Sequence, residues 1–182
     1  LLMVAGMNGV VLTGDLFNLF VFLEIASIAS YALVAFGCEH EELEASFKYL
    51  VLGSLGSTLI LFATALLYGA TGFLTMASVS RAIAERGGSP LVTLAIVFFV
   101  GGFGIKAALV PFHPWLPDAH PSAPAPISAM LSGVLIKTLG ILALARLAFN
   151  IVGMDGTCAT VLLGLGVLSM TVGVFLAVGQ WD

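Results

Sequence analysis

An all-α bundle of membrane-crossing helices is the fold class this sequence predicts, and three observations lead to it. Hydrophobic residues make up 60% of the 182-residue chain and charged residues only 9%, where a soluble domain carries about 25% charged residues. Mean hydropathy is +1.15. The apolar residues run in long stretches rather than in the alternation of barrel strands. Such a chain cannot clothe a surface that faces water all round. A soluble enzyme, a nucleic-acid binder and a disordered tail are therefore excluded, and a lipid bilayer is the expected surrounding. At about 20 apolar residues per crossing, there is room for five or six spans with short connections. The net charge of −4, from 6 basic and 10 acidic residues, leaves no basic patch for nucleic acid or anionic lipid.

The elements follow in order. Residues 1–12 are apolar but too short to cross alone, and read as the tail of a span. Thr13-Gly14-Asp15 is a turn in which Asp15 caps the next helix. A span over 16–36 is followed by an acidic connection, 38–44, with Glu39, Glu41, Glu42 and Glu44. The next span covers 47–68. The mixed connection 69–89 holds Arg81, Glu85 and Arg86, with a short surface helix expected at 74–84. Pro90 suits the first turn of a span over 90–110. Two further spans cover 126–149 and 158–178.

Small residues cluster at Gly53, Ser54, Gly56 and Ser57, and again at Gly164, Gly166, Ser169 and Gly173. Both clusters predict close helix packing in lipid. Alternating sides put Arg81, Arg86 and Arg146 together and Lys48 opposite, so charge alone places the arginines in the cytoplasm. Cys38 and Cys158 stand apart, with neither CxxC nor metal spacing. The chain opens on Leu-Leu and closes at Trp181-Asp182 directly after an apolar stretch, which reads as a piece of a longer protein.

The informative residues are ionisable groups at membrane depth, each costing about 2.5–3.5 kcal/mol at a helix centre. Glu24 lies inside the 16–36 span, and Ser27 and Tyr31 follow on its face at i+3 and i+7. Lys106 follows Gly101, Gly102 and Gly104 and lies one turn before a dense proline run. Six of the chain's seven prolines stand at 111, 114, 117, 121, 124 and 126. Proline removes a backbone donor and blocks helix continuation, and the carbonyls freed at such a break attract cations and water.

Lys137 sits in the middle of the 126–149 span, with Gly133 and Gly140 giving it space. Each of these three residues is read either as a structural charge or as a station for a moving ion. Lys48, one turn after Glu44, reads equally as an interface anchor and as part of a proton path. The loop around His113, Asp118 and His120 matches no metal signature and reads as titratable groups at a channel mouth. No GxSxG, HExxH or P-loop is present, so hydrolysis and ATP-driven pumping have no support.

One glutamate and two lysines on separate helices describe a relay. A buried amine loses its charge more readily than one in water, and a nearby carboxylate restores it. A Glu24–Lys106 contact that opens and closes would hold or release a proton toward Lys137.

Three strings carry a family resemblance. They are Thr13-Gly14-Asp15-Leu16-Phe17-Asn18-Leu19-Phe20-Val21-Phe22-Leu23-Glu24-Ile25 with Ser30-Tyr31, the stretch from Lys106-Ala107-Ala108 through His113-Pro114-Trp115 to His120, and Ser132-Gly133 with Lys137-Thr138. Together they resemble the antiporter-like proton-translocating membrane subunits. That superfamily includes the large membrane subunits of respiratory complex I, the D subunit of Mrp antiporters and the matching hydrogenase subunit. The first string is most similar to the Mrp D and hydrogenase branch.

The resemblance implies a fourteen-helix fold with inverted five-helix repeats. Residues 1–182 would be a fragment of its transmembrane domain, and 1–150 most of the first repeat. It matches Glu24 to the family's glutamate on its fifth span, Lys106 to the lysine of the broken seventh, Lys137 to that of the eighth and Lys48 to one opening the sixth; with His113 of the loop, these are the candidate residues of the proton relay. It implies protons as the cargo with sodium left open, no cofactor or metal, other membrane subunits as partners, and a multi-pass place in a prokaryotic cell membrane. It sets the acidic connection and the His-Pro-Trp loop on the cytoplasmic side, against the charge count, and the resemblance is preferred there. The second broken helix of the family pattern is absent from this sequence. The rival readings are a non-transporting scaffold subunit and an autonomous secondary carrier of a small organic solute; an anionic solute would need an arginine pocket at mid-membrane, and none is seen.

Overall fold

The computed structural model describes residues 1–153 and 156–179; the closing Trp181-Asp182 lie outside the described residues. Every described element is helical. α1 is Leu2–Leu12, α2 Leu16–Val34, α3 His40–Thr71, α4 Met76–Arg86, α5 Pro90–Lys106 and α6 Leu116–Ser122. α7 is Ala125–Val152 and α8 Gly156–Val178. Four of them, α2, α3, α7 and α8, are long and apolar enough to cross a membrane; α1 and α5 are shorter apolar helices.

The local signals act as expected at the helix starts. Asp15 Oδ1 accepts from the backbone N–H of Phe17 at 3.0 Å and of Asn18 at 2.9 Å, capping α2. Ser89 Oγ accepts from Val92 N–H at 3.3 Å, and Pro90 fills the first turn of α5. Two boundaries differ from expectation by a turn or more. α3 begins at His40, so most of the acidic connection is helical, with Glu41 and Glu42 in the first turn where the helix dipole favours negative charge. α5 ends at Lys106, one turn before the 110 expected, because Ala108 adopts a positive φ of 51° that a helix cannot continue through.

α1, α2, α3, α5 and α7 pack as a closed ring in that order, α7 returning to α1. The interior is lined by Leu19, Leu23, Ile60, Phe99, Phe103, Leu135 and Leu139. α3 and α5 meet where Gly56 faces Gly102; a Cβ on Gly102 would lie 2.7 Å from the Gly56 carbonyl oxygen. The small-residue cluster of α3 is thus a packing seam. That of α8 is not one within this chain: Gly164, Gly166 and Gly173 face open space, and no described residue of α8 is buried.

α4 is the expected surface helix, turning Met76, Val79 and Ala82 inward and packing on the end of α7. One end of the ring is tied by arginines. Arg86 donates to the carbonyls of Ala70 and Thr71 at the end of α3. Arg146 on α7 donates to the carbonyls of Val10 at 2.7 Å and Thr13 at 2.5 Å, closing the last turn of α1. Lys48 lies at the opposite end, as the charge pattern predicts. Removing the α1 clamp with Arg146→Ala should destabilise the subunit by about 1.5–3 kcal/mol, the worth of charged hydrogen bonds; thermal unfolding in detergent reads it, and an unchanged midpoint would contradict it.

Candidate functional site

The site forms where α5 breaks. Lys106 is the last residue of α5, and its side chain is directed across the ring to α2 with only 6% of the residue exposed. Its amine donates to Ser27 Oγ at 2.9 Å and to Tyr31 OH at 3.2 Å. These are the hydroxyls that the α2 stripe set on one face with Glu24. Ser27 lies twelve residues past Asp15, about 18 Å along the helix at 1.5 Å per residue, so the amine sits well inside the bundle.

Tyr31 is held from two sides. Gly53 on α3 leaves the space its hydroxyl occupies, since a Cβ there would overlap Tyr31 OH. The Tyr31 ring stands edge-on to Tyr49, with centroids 4.6 Å apart. Tyr49 OH shares a hydrogen bond of 3.0 Å with Ser30 Oγ, whose own O–H also reaches the Ser27 carbonyl at 2.7 Å. Tyr49 stacks on Trp115 at 4.3 Å and 11°, and the Trp115 indole N–H donates to the Ile105 carbonyl at 2.9 Å. Trp115 therefore adds a second donor to a carbonyl that also accepts from Ala108 N–H, directly beside Lys106. Opposite, α7 rests on the break: a Cβ at Gly140 would come within 2.5 Å of Ala107 N and Cβ.

The other expected residues are arranged differently. Glu24 makes no ion pair with Lys106; among the described residues the ion pairs are those of Lys48. Glu24 Oε1 is buried without a hydrogen-bond partner. Its side chain lines two clefts between α2 and α3, of about 420 Å³ with Ile28, Ser46 and Ser54, and about 190 Å³ with Ser54, Ser57 and Thr58. The direct Glu24–Lys106 contact is thus replaced by a hydroxyl, Ser27, one turn along the same face.

The expectation of a buried Lys137 is not met within this chain. Lys137 is exposed on the outer face of α7, and its amine turns back to its own Ser132 carbonyl at 2.5 Å. Over Lys137–Leu142 the helix widens to i→i+5 winding. Residues three apart then no longer share a face, so Gly140 meets the break while Lys137 turns outward.

Lys48 pairs with Glu44 at 2.9 Å and Asp118 at 2.8 Å, tying α3 to α6 in a half-exposed cleft of about 300 Å³. That is the geometry of an anchor. His113 Nδ1 is buried without a partner in the loop after the break, and His120 is bonded through Nδ1 to the Ser128 hydroxyl. Asp118 and the two histidines thus share no common partner.

Sequence reasoning missed Tyr49, Trp115 and Ser30 as part of the site. A signal for α3 was available: Ser46, Tyr49, Gly53 and Gly56 recur at helical spacing through an apolar span and mark its inward face.

Comparison with known proteins gives a consistent likeness. Residues 13–182 match the family described as "NADH:quinone oxidoreductase/Mrp antiporter, TM". The chain is 40% identical to the NADH-quinone oxidoreductase subunit N of Desulforudis audaxviator, covering 100% of this chain and 36% of that protein. It is 39% identical to the D subunit of the Na(+)/H(+) antiporter of Alkalihalophilus pseudofirmus, covering 99% and 36%. A chain in the structure of the Mrp complex from Dietzia sp. DQ12-45-1b superposes with a TM-score of 0.89 at 35% identity, over 98% of this chain and 34% of that one. The chain spans about a third of the length of these relatives.

Proposed function

Because the chain belongs to the NADH:quinone oxidoreductase/Mrp antiporter transmembrane family, we propose that it moves protons across a prokaryotic cell membrane as one antiporter-like subunit of a multisubunit complex. The observation that carries the reading is the Lys106 amine, enclosed at a helix break and held by two neutral hydroxyls with no carboxylate bonded to it. A charge in that setting lacks the compensation that a buried ion usually has. It is free to give its proton to water when the cage opens and to take one when the cage closes.

Glu24, one turn from Ser27, biases that step through its charge. Lys137, on the face of α7 that this chain leaves open, is the next acceptor. Lys48 and His113 belong to the mouth on the side of the acidic connection. The chain carries no redox group in this reading and couples to partner subunits through helix movement and charge. Whether sodium moves in exchange is read by running the same assay under a sodium gradient.

The test is proton flux in proteoliposomes of the assembled complex. Glu24→Gln keeps the shape and removes the charge, and should lower flux about fivefold or more, the factor for a coupling of about 1 kcal/mol. Flux equal to wild type would remove Glu24 from the path. The rival reading, a scaffold that packs the complex without transporting, draws on the unbridged Glu24 and the outward Lys137. It requires wild-type flux in both the Glu24 and the Lys106 variants.

A further inference from the structure

The break that presents Lys106 carries a complete account of its backbone donors, and one of them leaves the ring. Ala107 N–H is bonded to the Phe103 carbonyl, Ala108 to Ile105, Leu109 to Gly104 and Phe112 to Leu109. Pro111 has no N–H. Val110 remains, and its N–H donates at 3.0 Å to Ser169 Oγ on α8. Without that hydroxyl, a half-buried donor at membrane depth would be unsatisfied.

α8 touches the ring along part of its length, Leu162 packing against the core. None of its described residues is buried, and an apolar cleft of about 410 Å³ separates it from α5, lined by Ile96, Val100, Val161 and Leu162 among others. The hydroxyls of Thr160 and Thr171 bond carbonyls of α8 itself, whereas Ser169 reaches out to the break. The chain between the two ends of this link is short. Val110 lies four positions after Lys106, and the intervening turn is closed by its own hydrogen bonds, so a shift of Val110 is passed to the lysine.

We propose that Ser169 is a positioning residue for Lys106: it latches the broken end of α5 to α8, so that displacement of α8 withdraws the amine from Ser27 and Tyr31. The inference rests on the transport reading and adds to it a residue, and a direction, through which a neighbouring element acts on the amine. The latch contributes no proton of its own. It sets whether the cage is closed.

The test compares Ser169→Ala and Ser169→Thr with wild type and Lys106→Ala in the full-length protein within its complex. Three quantities are read: assembly, the pH profile of proton flux, and amide hydrogen exchange over 107–112. Ser169→Ala should assemble normally, exchange faster at Val110 and lower flux about fivefold with a displaced pH midpoint, an ordinary hydrogen bond being worth about 1 kcal/mol. Ser169→Thr, which keeps the hydroxyl, should restore all three. Unchanged exchange in Ser169→Ala overturns the latch. Faster exchange with an unaltered flux profile overturns its positioning role, provided that Lys106→Ala has lost flux. Full flux in Lys106→Ala instead defeats the transport reading itself, and the positioning role falls with it.

Discussion

Lys106→Ala is expected to reduce proton flux through the assembled complex to below about a tenth of wild type while the subunit still reaches the membrane. The amine is the group at the centre of the site; Ser27, Tyr31, Tyr49 and Trp115 are arranged around it, and none of them carries a charge in this environment. Removing it leaves Ser27 and Tyr31 without a shared partner, which costs about 1–3 kcal/mol for buried polar groups. Helix packing bears that loss, since Leu23, Ile60, Phe99 and Phe103 hold the ring independently of the lysine. Lys106→Arg sharpens the result. Guanidinium keeps the positive charge but does not release a proton at any working pH, so this variant should assemble and still fail to transport. Wild-type flux in the arginine variant would mean that the charge, not proton exchange, is what the position supplies.

Gly140→Val should be the most damaging single change outside the lysine. Gly140 is the point where α7 touches the break, and even one added carbon falls within 2.5 Å of Ala107 backbone. Backbone cannot rotate away as a side chain can. Either α7 moves off the ring or the turn that presents Lys106 is displaced. Overpacking of this kind costs about 1–3 kcal/mol or more, and here the displaced atoms adjoin the site, so thermal stability and flux should fall together. Gly133→Val is the internal control: nothing lies within 4 Å of a Cβ there, and it should alter neither. Equal effects from the two glycines would contradict the packing described.

The elements that can be read from sequence are those governed by neighbours within one turn. Asp15 and Ser89 cap the helices they precede and Pro90 opens α5, whereas α5 stops at the left-handed Ala108, ahead of the proline run. The Glu24–Ser27–Tyr31 stripe is legible because hydroxyls are conspicuous on an apolar helix. Lateral placement is not. A span that meets lipid on one face and protein on the other is apolar all round, so no periodicity in hydrophobicity tells which residues turn inward. Hence Lys137 is expected inside and lies outside, and Lys106 is matched to Glu24 where Ser27 and Tyr31 take the amine. The Tyr49–Trp115 stack and the Val110–Ser169 link join residues 66 and 59 positions apart. Contacts at that separation depend on how the ring closes, which no local rule states. The early start of α3 is a different case: four glutamates look like a solvated loop, yet they suit a helix N-terminus just as well.

Transport in this reading turns on the Lys106 amine changing its protonation. Nitrogen NMR of 15Nζ-lysine-labelled complex in proteoliposomes observes that amine itself, its signal assigned as the one lost in Lys106→Arg. This signal should alternate between ammonium and neutral amine as a proton gradient is applied and withdrawn, while the Lys48 signal remains ammonium. A Lys106 signal that stays ammonium throughout, with protons flowing at the wild-type rate, would contradict it.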